Sequence, residues 1–140
     1  MALVNRPVFL QNVKAGVATF TNADSANTKK TLVTADADGT KVVAVLASSD
    51  DTSDRLGQLW ITRSATSYLV GTTNVVTLAG TNGVADTANL LDVTLIPGLP
   101  VDRDGQVYLL LESGDTLQVS FTTQVTAAKT VYVVTQFANY

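Results

Sequence analysis

The chain contains no cysteine and no histidine. The first absence removes disulfides, thiolate nucleophiles and cysteine-ligated zinc, and the second removes Ser-His-Asp catalysis and histidine-ligated zinc. A cysteine-free chain folds in reducing and oxidising surroundings alike, so the redox compartment stays open. Charge is scarce too, at 15% of 140 residues, where soluble domains carry roughly 25%. The balance is acidic, with net charge -3 and a pI near 4.6. That excludes a basic nucleic-acid binder, because phosphates find no cluster of cations to release their counterions. No apolar run approaches the roughly 18 residues of a membrane helix. Arg6 and Pro7 stand where the apolar segment of a signal peptide would run, so neither a cleaved leader nor a membrane partner is expected.

What is present points one way. Hydrophobic residues make up 46% of the chain and mean hydropathy is +0.23, which excludes intrinsic disorder. The length suits one domain with a substantial core. Thr occurs 21 times and Val 20 times, against one Glu and five Lys. β-branched side chains suit a pleated surface, whereas Glu and Lys are the usual helix-surface residues.

The windows agree with that bias. Thr31–Thr34, a turn at Asp36-Ala-Asp38-Gly39, and Lys41–Ala47 read as a β-hairpin. Leu56–Arg63, Tyr68–Val70, Asn74–Ala79 and Leu90–Ile96 read as further strands, with a turn at Asn82-Gly83. Val107–Leu111 and Thr116–Thr122 flank a turn through Gly114 and Asp115, and Thr130–Phe137 follows. Leu117, Val119 and Phe121 alternate with Gln118, Ser120 and Thr122, the period of a half-buried strand. With segments at Val8–Leu10 and Val17–Phe20, eight or nine short strands emerge and no window has helical periodicity. The expected fold is all-β, a single antiparallel β-sandwich, jelly-roll-like, over residues 14–140. Residues 1–13, with Arg6, Pro7 and Phe9, read as an extended N-terminal arm, since proline suits an edge or an arm. Residues 80–105 hold two of three prolines and four of nine glycines. Long connections of that kind are usually functional or mobile.

Candidate chemical sites are few. Asp36 and Asp38 sit before Gly39 as calcium ligands do, but the pattern lacks a third ligand before the glycine and Ala47 stands where the bidentate Glu belongs. Turn chemistry explains the same residues. Asp50, Asp51 and Asp54 form a denser cluster that could draw a hard cation or simply cap a solvated loop. Glu112 and Asp115 flank Gly114, and Asp102 and Asp104 sit in a similar turn ahead of Gly105, where water keeps carboxylates ionised; Thr126/Lys129 is likewise a turn. No catalytic constellation, metal site or cofactor is expected, and the chain is not expected to be an enzyme. Trp60 lies between Leu59 and Ile61, so alternation turns it outward as a sugar platform, an interface anchor or cover for a sheet edge. Tyr132 alternates against Val131 and Val133 and is a candidate to join that surface.

Leu99-Pro-Val-Asp102-Arg-Asp104-Gly105-Gln-Val-Tyr108-Leu-Leu-Leu111 resembles a run in small structural proteins of tailed bacteriophages. So do Gly114-Asp-Thr-Leu117, Thr126-Ala-Ala-Lys-Thr-Val131, the terminal Tyr140, and the blocks Ala47–Thr52, Gln58-Leu59 and Tyr68–Gly71. Together the similarity covers most of the chain after residue 30, and it is of the head decoration, or cement, type. The resemblance implies a virion protein made in the host cytoplasm and bound outside the capsid, with the major capsid protein as partner and a homotrimer as assembly. It also implies partner contacts through the N-terminal arm, so Arg6, Pro7 and Phe9 join Trp60 and Tyr132, which alternation turns outward, as the expected contact residues. The rivals are a carbohydrate- or receptor-binding sandwich module and a tail or neck component.

Overall fold

The computed structural model describes residues 12–140. It is all-β, with nine strands: β1 (Asn12–Thr21), β2 (Lys30–Thr34), β3 (Thr40–Ser49), β4 (Arg55–Arg63), β5 (Thr66–Val75), β6 (Ala88–Asn89), β7 (Leu109–Leu111), β8 (Thr116–Phe121) and β9 (Thr130–Asn139). They form two antiparallel sheets packed as a sandwich. One has the order β1-β9-β3-β6, with β7 also on β3, and the other is β2-β8-β4-β5. They are called here the β1 sheet and the β2 sheet.

The pairings are nested. β1 pairs with β9, β2 with β8, β3 with β7, and β4 with β5, so the chain is one long antiparallel ribbon folded over into two layers. That connectivity suggests the jelly roll. It also corrects the hairpin expected between Thr31–Thr34 and Lys41–Ala47. The turn is there, with Gly39 at φ 94°, but β2 pairs in one sheet and β3 in the other. The turn between β7 and β8, with Gly114 at φ 84°, crosses between sheets in the same way. The hairpin that does join consecutive strands is β4–β5, and it turns through Ser64 and Ala65 at φ 49° and 66°. Neither residue favours that left-handed region, so their side chains carry no sign of the turn.

One expected strand is absent and another is cut short, with only Asn74 and Val75 of Asn74–Ala79 inside β5. β5 ends at Val75, and Val76–Ala79 forms a turn closed by Ala79 N–H donating to the Val76 carbonyl at 3.1 Å. Leu90–Ile96 is a turn that buries Leu90, Leu91 and Ile96 and exposes Val93 and Leu95: the Asp92 carboxylate accepts the Thr94 N–H at 2.8 Å, and its carbonyl accepts from Leu95 and Ile96. An Asx cap of this kind competes with a sheet ladder and wins. The 80–105 connection is tied down, because Leu90, Leu91, Ile96 and Leu99 are all buried in the core. Gly71 makes room for Ile96, whose Cγ1 lies 2.5 Å from where a β-carbon would stand.

Inward residues alternate as the sequence indicates. Val131, Val133 and Phe137 of β9 face Leu117, Val119 and Phe121 of β8 across the sandwich, and Phe20 meets Phe121 edge-to-face with ring centroids 4.9 Å apart. The start of the domain differs slightly from expectation, since Asn12 and Val13, placed in the arm by sequence, already belong to β1. Arg6, Pro7 and Phe9 lie outside the described residues.

Candidate functional site

The acidic clusters are structural caps. Asp51, fully buried, accepts from Arg55 Nε at 2.8 Å and from the Thr126 N–H at 3.0 Å, while its other oxygen accepts from the Ser53 N–H. Arg55 completes its fork on the hydroxyls of Thr123 and Thr126 at 2.9 and 2.8 Å. Burial pushes the Asp51 carboxyl up, but the hydrogen bonds from Arg55, Thr126 and Ser53 outweigh it and hold the group well below the usual carboxylate range. Asp50 instead accepts from the Thr130 N–H, and Asp54 from the Thr77 N–H and hydroxyl. The three carboxylates therefore serve three separate anchors. No group of acidic side chains among the described residues is placed to share a metal ion.

The other carboxylate pairs resolve similarly. Asp115 is almost fully buried rather than solvated as expected, and forms a two-pronged ion pair with Arg63 at 2.8 and 2.6 Å; that guanidinium first, with the Glu112 N–H, holds its carboxyl below the usual carboxylate range against the opposing effect of burial. Asp102 caps its own turn through the Asp104 and Gln106 N–H groups and pairs with Lys41 at 3.3 Å. A shallow hollow of about 360 Å³ lies between Gly39, Leu111 and Tyr140, with exposed Asp38 and Glu112 at its rim. Thr126, half of the Thr126/Lys129 pair, is consumed by Asp51 and Arg55.

What remains is surface, and the two outer faces differ. On the β2 sheet, Gln58, Trp60 and Thr62 of β4 point outward beside Gln118 and Ser120 of β8. Trp60 Nε1 donates to Ser120 Oγ at 2.9 Å, Ser120 Oγ contacts Gln58 Oε1 at 3.2 Å, Thr62 Oγ1 donates to Gln118 Oε1 at 2.6 Å, and Gln118 Nε2 donates to Thr31 Oγ1 at 3.2 Å. Lys29 stands over the Trp60 ring, 4.5 Å from its centroid. The polar groups of this face are paired with one another, while Leu56 of β4 and Leu69 of β5, the latter opposite Trp60, stand exposed beside them at 40% and 50%.

On the β1 sheet the outward rows run across β1, β9 and β3. Thr19, Tyr132 and Ser48 form one, Val17, Val134 and Leu46 the next, and Ala15, Gln136 and Ala44 the third. Val17, Val134 and Leu46 stand side by side at 60%, 38% and 40% exposure, with Val13 at 84% further along β1. Not one strand carries a carboxylate, because all twelve acidic residues fall in connections. The centre of this face is thus apolar and uncharged.

The structure separates the two aromatic candidates. Trp60 lies on β4 and Tyr132 on β9, on opposite outer faces, so they form no common surface. Sequence alternation turns each outward correctly but does not say that β4 and β9 belong to different sheets. The Val17–Val134–Leu46 row, unmarked in the sequence reading, becomes visible only once β1, β9 and β3 are known to be neighbours.

No protein-family model and no curated protein matches the chain. Among solved structures, it aligns with a chain of the cyanophage Pam1 capsid asymmetric unit at 15% identity and a TM-score of 0.49, over 100% of this chain and 94% of that one. At that level the likeness carries no functional argument.

Proposed function

We propose that this chain is a structural virion protein that decorates the outside of a phage capsid and stabilises it by bridging capsid subunits. The observation that carries the reading is the outer face of the β1 sheet, where exposed Val17, Val134 and Leu46 adjoin with no carboxylate among them. Contiguous exposed apolar patches, unlike single scattered residues, are where docking surfaces are sought. The sequence resemblance supplies the capsid as partner. Chemistry is not needed for the role: a clamp that touches two subunits at once is retained by the product of weak contacts. Net charge -3 favours a place away from packaged DNA, on the outer surface. The resemblance implies a homotrimer as the assembly, whereas the long open edge of β1 favours a two-fold pair.

The glycan-module alternative loses ground on Trp60, whose indole N–H is spent on Ser120 and whose ring is covered by Lys29. The test is to isolate DNA-filled particles from the producing culture and quantify this chain against the major capsid protein by mass spectrometry. A simple ratio on a particle rich in copies is the expected result. A handful of copies would move the protein to the tail or neck, and absence from particles would end the virion reading.

A further inference from the structure

Sheet edges are templates for pairing with another chain, and proteins blunt them with short strands, bulges and charges. Among the described residues, three of the four sheet edges are blunted. β6 and β7, which close the β1 sheet on one side, have two and three residues. β2 has five, begins at Lys30 and slips register between Thr31 and Val33. β5 is long, but its pairing with β4 is broken by a bulge at Leu59/Trp60. β1 is the exception: it runs ten residues, pairs with β9 without a register shift from Asn12 to Thr21, and contains no proline.

The hydrogen bonds show which main-chain groups face its open side. Lys30 Nζ donates to the Thr19 carbonyl at 2.6 Å, and Thr21 exchanges bonds with Asp24, its N–H reaching the Asp24 carboxylate at 2.9 Å and its carbonyl accepting the Asp24 N–H at 3.0 Å. Thr19 and Thr21 therefore point away from β9. In an unbulged antiparallel strand the direction alternates, so Val13, Ala15 and Val17 point the same way, while Lys14, Gly16 and Ala18 bond to β9. The far end of the edge is occupied by Lys30 and Asp24. Among the described residues nothing bonds to Val13, Ala15 or Val17 on the open side.

We infer that this edge pairs with the β1 edge of a second copy, antiparallel, about a two-fold axis at Ala15. That register uses only open positions: Val13 faces Val17 of the second copy, Ala15 faces Ala15, and about six main-chain hydrogen bonds form. An axis at Val17 would collide with the groups already held by Lys30 and Asp24. The register also disposes of the one charge on the strand, since Lys14 comes opposite Gly16 of the second copy rather than opposite another lysine. The Gly16 position itself has no room for a side chain, because a β-carbon there would strike the Leu32 carbonyl. A two-fold axis through an antiparallel pair stands perpendicular to the sheet, so both Val17–Val134–Leu46 rows lie on the same side of one continuous sheet. The pair then offers two docking patches facing one way.

The pairing stands independently of the virion reading, and the purified full chain tests it. Sedimentation equilibrium over a range of concentrations should give twice the 14.7 kDa chain mass. Ala15→Pro removes a donor on the open side only and spares the bonds to β9, so it should lose the pair while keeping the β-sheet circular dichroism. Ala15→Lys should do the same by setting two ammonium groups across the axis. Amide exchange at Val13, Ala15 and Val17 should be slow in the wild-type chain and fast in either variant, apart from the amide that proline removes. A monomer at every concentration, a three-copy mass, or a pair untouched by both variants would overturn the inference. So would slow exchange of these amides in a monomer, which would assign the edge to the chain's own residues 1–11.

Discussion

The two outer faces of one sandwich solve the same problem in opposite ways. On the β2 sheet, outward Gln58, Trp60, Thr62, Gln118 and Ser120 satisfy one another, and Ser120 is only 1% exposed. On the β1 sheet, outward Val17, Val134 and Leu46 have no counterpart within the described residues. Both faces alternate with a period of two against the same core, so core packing does not demand the difference. A face whose polar groups are internally paired resists further association, whereas an apolar, uncharged face gains by it. On the proposed reading, docking belongs to the β1 face, whose apolar row has no polar network beside it, whereas exposed Leu56 and Leu69 on the β2 face flank paired polar groups.

Substitutions should separate the two faces, and the largest effect belongs to neither. Asp51→Ala strands the Arg55 guanidinium at the end of the sandwich, and should cost about 3–5 kcal/mol in urea denaturation. It should loosen both sheets together, visible as a single cooperative loss. If it spared the β1 sheet, the two layers would not be the single folding unit that their shared core implies.

The same carboxylates set the acid response. Asp51 and Asp115 both titrate below their ordinary range in the folded chain. A group with a lowered folded value adds stability above its unfolded pKa and loses it as pH falls through the folded one. Stability should therefore be flat from neutral pH to about 5 and fall below about 4, near the model-peptide value for Asp. Denaturation midpoints between pH 7 and 2 check this, and a loss near pH 6 would contradict it.

On the β2 face, Ser120→Ala removes the acceptor of the Trp60 N–H and should cost about 1 kcal/mol with a shift in tryptophan emission. Ala65→Gly acts in the opposite direction. It relieves a left-handed residue in the β4–β5 turn and should stabilise by about 1 kcal/mol in the same denaturation assay. On the β1 face, Val17→Thr should change stability by no more than about 0.5 kcal/mol, since the residue is exposed and has nothing to lose within the chain.

How much of this was legible depends on the kind of residue. Leu117, Val119 and Phe121 announce their inward face by alternation, and Trp60 and Tyr132 their outward one. The turns at Gly39 and Gly114 are legible as reversals. Nothing in Asp36–Gly39 says whether the chain reverses within a sheet or crosses to the other layer, because both need the same left-handed glycine. Ser64 and Ala65 hide the hairpin, since other forces hold them at a conformation their side chains do not favour. The caps made by Asp51, Asp54 and Asp92 look in sequence like a cation cluster and a strand interior. Their partners, Arg55, Thr126 and Thr77 among them, are fixed only by the fold.

The central claim is that docking belongs to the β1 face, and one paired measurement addresses it most directly. Particles lacking this chain would be incubated with wild-type protein, with Val134→Lys on the apolar row, and with Thr31→Lys on the opposite face as control. Bound protein per capsid would then be counted. The account predicts that Val134→Lys loses most of its occupancy while Thr31→Lys binds like the wild type, both folding normally. Equal binding by Val134→Lys, or loss confined to Thr31→Lys, would contradict it.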